Sequence, residues 1–232
     1  MPLLYLNIGN MTPSQKIREL YPLVGVDVAL FSIEDGVLKV LLVRRAQEPA
    51  LRRWALPGGM LKPDLDATLE DAAKRVLRNK VSVEIPHLAE VCTFSGAQRD
   101  PRGWSVSVLF YALLPRDKIN ALVKSKVEAL KWSEAVKPGQ PLAFDHDEQL
   151  AAALQVLRDK VDGHALPLHL MPELFTLTQL QKTCEAVVGR ALEKSAFRRR
   201  LKGSSDLVET DQMVGGLQRP ARLYRARVGF VF

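Results

Sequence analysis

Apolar positions run almost without interruption through "YPLVGVDVALF" and resume in "VLKVLLVRR", on either side of Asp35-Gly36. Valine, leucine and phenylalanine flanking an Asp-Gly pair predict two strands joined by a tight turn over residues 21–45. The pattern then breaks into the polar loop "AQEPALRR" and returns in "WALPGG", where Pro57, Gly58 and Gly59 make a turn without steric penalty. From Thr68 the period changes. Leu69, Ala72, Ala73, Val76 and Leu77 recur at helical spacing, and Thr68 with Asp71 has the composition of a capping box. Pro86 ends the segment beyond that helix. "HLAEVCTFSGAQRDPRGWSVSVLFYALLP" reads as a strand, a polar loop and a long apolar strand closed by Pro115. "ALKWSEAV" is a short element that finishes a sheet or starts a turn.

Two prolines and a glycine at 138–141 mark a linker and divide the chain into units 1–140 and 141–232. Acidic residues then open a helix with Leu150, Leu154 and Leu157 on one side, and "GHALPLHLMPEL" is a proline-containing connector. A helix over 176–189 follows, with Thr176 or Thr178 as cap and Gly189 as stop, and a second helix over 190–202. The last segment predicts two strands joined through Gly215-Gly216, with Tyr224 in the return strand. Two helices about a turn apart, followed by a glycine-bearing hairpin, have the order of a winged helix-turn-helix.

Charge sharpens that second unit. The 232 residues carry a formal +7, and residues 176–232 hold eleven Lys/Arg against five Asp/Glu, which accounts for +6 of it. A basic module joined to a nearly neutral one points to a polyanionic partner. Arg198, Arg199 and Arg200 are consecutive, so they fan around the second helix; some reach phosphates while another reaches a guanine edge. Phe197 and Leu201 anchor the same helix to the core. Arg219, Arg222, Arg225 and Arg227 on the wing suit phosphate or minor-groove contact. Thr178, Lys194, Arg198, Arg199, Arg200 and Arg219 are the candidate DNA-binding residues. The bland alternative is a solvated basic surface, and the joint occurrence of helix spacing, charge asymmetry and hairpin favours DNA over it. RNA is the weaker partner, because no sheet with interleaved aromatics is visible.

The first unit raises a different question. Hydrolysis of a phosphoanhydride draws on divalent cations held by carboxylates. The helix after the Gly-Gly turn carries Lys74, Arg75, Arg78 and Lys80 instead, and Glu70 and Asp71 are explained as helix-start residues. No metal site and no required cofactor are expected. Arg44, Arg45, Arg102 and the turn at Gly59 can hold a nucleotide diphosphate directly. Trp54 and Trp104 either stack on a base or cover the core. Cys92 and Cys184 lack metal-ligand spacing and read as small buried side chains. No targeting signal and no membrane-length apolar run are visible, so a cytoplasmic protein is expected.

Residues 22–132 resemble a Nudix domain, whose signature runs from the Gly-Gly turn into a helix with an Arg-Glu pair and two further adjacent glutamates. Here the glycine is Gly59 and the arginine Arg75, but Val76 stands beside it, Asn79 and Lys80 replace the adjacent pair, and Ser82 stands at a usual glycine. The scaffold matches; the catalytic glutamates do not. Across residues 22–226 the chain resembles the NrtR-like, Nudix-related transcriptional regulators of NAD metabolism, through "RDPRG" at 99–103, "FTLTQLQKTCEAVVG" at 175–189, "FRRRL" at 197–201 and "RPARLY" at 219–224. The resemblance implies an α/β (α+β) Nudix fold, a mixed sheet sandwiched by helices, followed by a winged helix-turn-helix. It further implies a homodimeric repressor of NAD biosynthesis or salvage genes that binds a palindromic double-stranded DNA operator. Its effector would be ADP-ribose or a related nucleotide, and its domain a sensor without hydrolase activity. Arg44, Arg45, Trp54, Gly59 and Arg102 are the candidate ligand residues. The rival readings are a Nudix hydrolase of ADP-ribose or another nucleoside diphosphate derivative, using Glu70, Asp71 or Glu90, and an interaction adaptor that retains both folds but neither ligand.

Overall fold

The computed structural model describes residues 21–83, 85, 88–118, 127–215 and 220–232. The Asp35-Gly36 turn joins β1 (Leu23–Glu34) and β2 (Val37–Arg45), with Asp35 and Gly36 both at positive φ, as a tight hairpin of this kind requires. β3 (Trp54–Ala55) and β4 (Gly58–Met60) flank Leu56-Pro57 and diverge: β3 pairs with β2, β4 with the start of β1. β5 (Leu88–Gly96), β6 (Ser105–Leu113) and β7 (Val127–Glu134) complete a seven-stranded sheet in the order β3-β2-β1-β6-β5, with β7 also on β2. β1 and β6 are parallel and the remaining described pairs antiparallel, so the sheet is mixed. "ALKWSEAV" therefore finishes the sheet.

Strand alternation sends side chains to two faces. Val26, Val28 and Leu30 of β1, with Val108, Phe110 and Ala112 of β6, pack against α1 (Leu69–Val81). Its buried stripe is Ala72, Ala73, Val76, Leu77 and Val81, and its start is the expected Thr68–Asp71 capping box. Ala29 and Phe31 of β1 face the other way with Leu109, Tyr111 and Leu113 of β6, against α2 (His146–Asp162). Leu150, Ala153, Leu154, Leu157 and Val161 are the buried side of α2. Fully burying one large aliphatic side chain contributes roughly 1.5–3 kcal/mol, so each helix is held by its apolar stripe rather than by intrinsic propensity.

The second unit contains β8 (Phe175–Thr176), α3 (Leu177–Val188), α4 (Lys194–Leu201), β9 (Leu207–Val214) and β10 (Ala221–Ala226), with a small antiparallel sheet in the order β8-β10-β9. Thr176 is the cap of α3 and Gly189 ends it in the left-handed region, as its lack of a Cβ permits. The second helix is shorter than expected. Residues 190–193 form the turn, and α4 starts only after Glu193, whose carboxylate accepts from the backbone N–H of Ser195 at 2.8 Å and of Ala196 at 2.6 Å. Gly216 and Arg219, between β9 and β10, lie outside the described residues.

The two units share one core. Leu180, Cys184 and Val187 of α3 and Phe197 and Leu201 of α4 join the same buried cluster as Phe31, Tyr111 and Leu157. A boundary at residue 140 would assign α2 to the second unit, yet α2 packs on β5 and β6 as well as on α3.

Candidate functional site

β1 pairs with β4 through residues 25–27 and with β2 only from Phe31 onward, so the sheet forks at Asp27. At the fork opens a cavity of about 620 Å³. Gly58 is required there, because a Cβ on it would land on Asp27 Oδ1. Asp27 is the one charged residue in the apolar run of β1 and lies on the cavity floor. Its Oδ2 accepts from the Ser107 hydroxyl at 2.6 Å and from Gln149 Nε2 at 3.2 Å. His146 Nδ1 accepts from Leu56 N–H at 2.9 Å, which places its proton on Nε2, 3.5 Å from Asp27 Oδ1. Burial pushes the His146 pKa down, more than neighbouring Asp27 and Asp145 raise it, so the ring is neutral at pH 7.

One wall is formed by α1. Val76, Asn79 and Lys80 all line the cavity, at the positions where the Nudix signature carries glutamates. A methyl group, an amide and an ammonium do not fit a divalent cation. Among the described residues no group of three or more His, Cys, Asp and Glu could hold a metal ion. Glu70, Asp71 and Glu90 do not line the cavity: Glu70 pairs with Lys74 at 2.7 Å, Asp71 caps α1, and Glu90 is exposed on β5. Arg75 keeps its signature position but is a structural clamp, its Nε and Nη2 donating to the two oxygens of Asp66 at 2.6 Å each. Those hydrogen bonds hold the Asp66 carboxyl below the usual range despite its burial.

The remaining cations face the cavity. Arg45, Lys62, Lys80 and Arg102 all line it, as does Arg99, which is paired with Asp145. Burial lowers the pKa of Arg45, and the neighbouring Arg102 lowers it further, a repulsion that a bound anion would relieve. Arg45 lies over the Phe144 ring, 4.9 Å from its centroid. Arg102 is poised by Asp100 within the same loop, Nη2 to Oδ2 at 2.6 Å; burial raises the Asp100 pKa, but the Arg102 hydrogen bonds outweigh it and leave the carboxyl depressed.

Of the five ligand candidates, Arg45, Gly59 and Arg102 line this cavity, and Arg44 and Trp54 do not. Arg44 and Trp54 are cross-strand partners in β2 and β3, so they fall on one side of the sheet together. Arg44 donates to the Arg52 carbonyl at 3.2 Å and lies 3.6 Å from Glu128. Trp54 packs against the core, with Lys131 Nζ 4.7 Å from its ring centroid. Sequence reasoning missed Asp27, Lys62, Ser107, Phe144 and His146 as lining residues. The available signals were the lone Asp27 in an apolar strand and the polar Ser105 and Ser107 in period two.

On the second unit, the helix-turn-helix angle is fixed by α3: Gln181 Nε2 donates to the Leu192 carbonyl at 2.9 Å, and Glu185 accepts from Leu192 N–H at 2.9 Å. Lys194 and Arg199 are exposed, and Arg198 Nη2 donates to Thr178 Oγ1 at 3.2 Å, joining the two helices at their outer side. Arg200 turns inward, donating to the Ala165 carbonyl at 3.1 Å. On the wing, Arg222 pairs with Glu209 at 2.6 Å, while Arg225 is exposed.

A Nudix-type sandwich with its metal-site carboxylates replaced, sharing its core with a winged helix, defines a two-module regulator class. Residues 22–154 match the model of the NUDIX domain and residues 167–226 that of the NrtR DNA-binding winged helix domain. The chain belongs to the NrtR family of transcriptional regulators. It is 42% identical over 207 residues to the ADPR responsive transcriptional repressor NtrR of Acinetobacter baylyi, spanning 88% of this chain and 82% of that protein. The crystal structure of Shewanella oneidensis NrtR complexed with a 27mer DNA superposes with a TM-score of 0.79, at 34% identity over 88% of this chain and 93% of that one. The NUDIX domain of the same Shewanella protein complexed with ADP ribose gives a TM-score of 0.56 at 35% identity, over 63% of this chain and 99% of that one. No described helix is long and apolar enough to cross a membrane.

Proposed function

We propose that the cavity binds ADP-ribose or a closely related nucleoside diphosphate sugar as a metal-free anion, and that its occupancy sets the affinity of the winged helix for an operator. The carrying observation is the convergence of Arg45, Lys62, Lys80 and Arg102 on one cavity whose α1 wall offers no carboxylate at 76, 79 or 80. Four cationic side chains suit a diphosphate, and the volume lies within the range of ligand pockets. The ADP ribose complex of the Shewanella domain and the name of the Acinetobacter repressor support the same reading.

The ligand contacts are Arg45, Gly59 and Arg102, with Lys62 and Lys80 added. The DNA contacts are Lys194, Arg198, Arg199 and the wing, including Arg219. A homodimer presenting two winged helices would read a palindromic operator with half-sites about one helical turn apart. The genes it represses would be those of NAD biosynthesis or salvage, in the cytoplasm.

The deciding experiment titrates the protein onto a palindromic operator duplex with and without ADP-ribose. Altered operator affinity at saturating ligand supports the reading. Unchanged affinity removes the effector role, and release of AMP with Mg²⁺ would return the hydrolase rival.

A further inference from the structure

Helix α2 reaches from the cavity to the winged helix. At its first turn, Gln149 is fully buried and does not line the cavity, yet its amide holds Asp27 Oδ2 at 3.2 Å and Asp145 Oδ1 at 2.8 Å from behind. Asp145, the residue before α2, leaves its capping role unfilled and instead takes a two-pronged bond from Arg99, at 2.8 and 2.9 Å. Arg99 stands in the same loop as Arg102 and itself lines the cavity. The start of α2 is therefore fastened to both the floor and the rim of the proposed ligand site.

Its other end grips the second unit. Arg158 Nε donates to the Val187 carbonyl in the last turn of α3 at 3.3 Å, and Asp162 pairs with Arg190 in the turn before α4 at 2.5 Å. Lys160 Nζ donates to the Phe232 carbonyl at 2.9 Å, where the segment after β10 returns and sets Phe232 edge-on to Tyr111. Between the two ends, 17 helical residues span about 25 Å. The surface along which they lie is apolar, and packed helices shift on such surfaces by an ångström or two. Hydrogen-bonded ends hold defined positions, whereas the apolar middle tolerates a small slide.

We propose that α2 transmits cavity occupancy to the winged helix, and that Gln149 is the positioning residue that fastens it to the ligand site. A ligand that draws on Asp27 or on the Arg99–Arg102 loop competes with the bonds that locate the first turn of α2. The displacement is then delivered at Val187, in the last turn of α3, and at Arg190, in the turn that sets α4. Linkage requires the ligand to favour one placement of α2 over the other. This inference rests on the effector reading given above.

The test uses the full chain and three variants: Gln149→Met, which keeps length and removes the amide, and Arg158→Ala and Asp162→Asn, which release the far end. Operator affinity is measured without and with saturating ADP-ribose, and ADP-ribose affinity by calorimetry. The ratio of the two operator affinities is expected to depart from one in the wild type by a factor of roughly 5–150, the usual range of coupling. In all three variants it is expected to fall towards one, while ligand-free operator affinity stays within about threefold, ADP-ribose affinity stays within about threefold in the two far-end variants, and the melting transition stays cooperative. Variants that keep the wild-type ratio would overturn the role of α2. Should Gln149→Met not fold, the two far-end variants decide the matter alone. A wild-type ratio of one with ADP-ribose bound would instead sink the effector reading, and a wild type that binds no ADP-ribose would sink the ligand assignment.

Discussion

Arg75 and Asp66 form a two-pronged ion pair that is almost shielded from water, with guanidinium-to-carboxylate distances of 2.6 Å on both prongs. A second donation from Arg75 Nη2 reaches the Met60 carbonyl at 3.0 Å, so one side chain ties α1 to the end of β4 and to the loop between them. Removing one partner leaves the other with a single backbone hydrogen bond, from Lys62 N–H to Asp66 or from Arg75 to the Met60 carbonyl, and loss of hydrogen bonds between charged groups costs roughly 1.5–3 kcal/mol. Arg75→Ala and Asp66→Ala are each expected to lose about that much in urea denaturation. Arg75→Lys restores the charge but not the fork, and should recover only a minor part. A double variant no worse than either single one would confirm the pairing as the source.

Gly58 and Gly59 are adjacent, but they differ in what they protect. A methyl at Gly58 lands on the Asp27 carboxylate and near the Val26 carbonyl, whereas one at Gly59 meets only Val76 Cγ2, at 2.9 Å. The flexible end of a valine yields more readily than a buried carboxylate locked by three partners. Gly58→Ala is expected to abolish ADP-ribose binding and destabilise strongly, and Gly59→Ala to be tolerated with a weaker loss. Calorimetry and thermal melts of the two variants check the ranking.

The local devices of this fold are visible in the sequence because their partners are near in the chain. The Thr68–Asp71 box and the Gly189 stop are each set within a few residues, and both are present. Glu193 is hidden because "RALEKSAF" continues a helical composition across it, and only the three-dimensional turn decides that α4 starts there. The cavity is harder to read. Asp27 stands out in its strand, but Ser107 and Gln149 lie 80 and 122 positions away, so nothing local announces them. Arg44 and Arg45 look equivalent until the pairing of Arg44 with Trp54 assigns one of them to the opposite side. Lys80 reads from sequence only as a replaced carboxylate; its place on the cavity wall beside Val76 and Asn79 gives it a charge to contribute.

His146 sets an acid limit on stability. Its pKa is lowered chiefly by burial, so below its ordinary value near 6.5 the unfolded chain takes up a proton that the folded chain resists. Folding stability is then full above about pH 6.5 and declines as the pH falls, with a slope approaching about 1.4 kcal/mol per unit. The depressed carboxylates Asp66, Asp100 and Asp145 act in a separate window that opens at their ordinary range near 4 and extends downward, as the unfolded chain takes up protons that the ion-paired groups resist. Denaturation midpoints between pH 7 and pH 5 isolate the histidine. His146→Asn, which keeps an acceptor for Leu56 N–H, is expected to flatten the profile in that interval.

Metal dependence separates a cation-lined sensor from a hydrolase. With Val76, Asn79 and Lys80 on the cavity wall, ADP-ribose affinity is expected to be the same in chelator as in Mg²⁺. A hydrogen bond to a charged group contributes roughly 1.5–3 kcal/mol, so Lys80→Ala should weaken binding by about ten- to a hundredfold. Lys80→Glu should weaken it further in chelator, since it replaces attraction for the diphosphate with repulsion. An affinity that rises steeply with Mg²⁺ in the wild type would contradict this account of the site.

The three consecutive arginines of α4 are expected to separate experimentally, because the fold gives them different surroundings. Arg199 is exposed, Arg198 is half-buried and bonded to Thr178, and Arg200 turns inward to the Ala165 carbonyl. Removing an arginine that neutralises one phosphate lowers the salt dependence of operator binding by about 0.9 in log–log slope. Removing one that reads a guanine costs about 1–3 kcal/mol on the specific site and relaxes one base position. Arg199→Ala and Arg198→Ala should each weaken operator binding, and the salt slope measured for each assigns it to phosphate or base. Arg200→Ala should leave the slope unchanged and appear instead as a loss of thermal stability, since it removes the bond to the Ala165 carbonyl. Should Arg200→Ala alone reduce the salt slope while Arg198→Ala and Arg199→Ala do not, the DNA-facing side of α4 would have to be rotated towards Arg200. The inward turn of that side chain would then belong only to the DNA-free state.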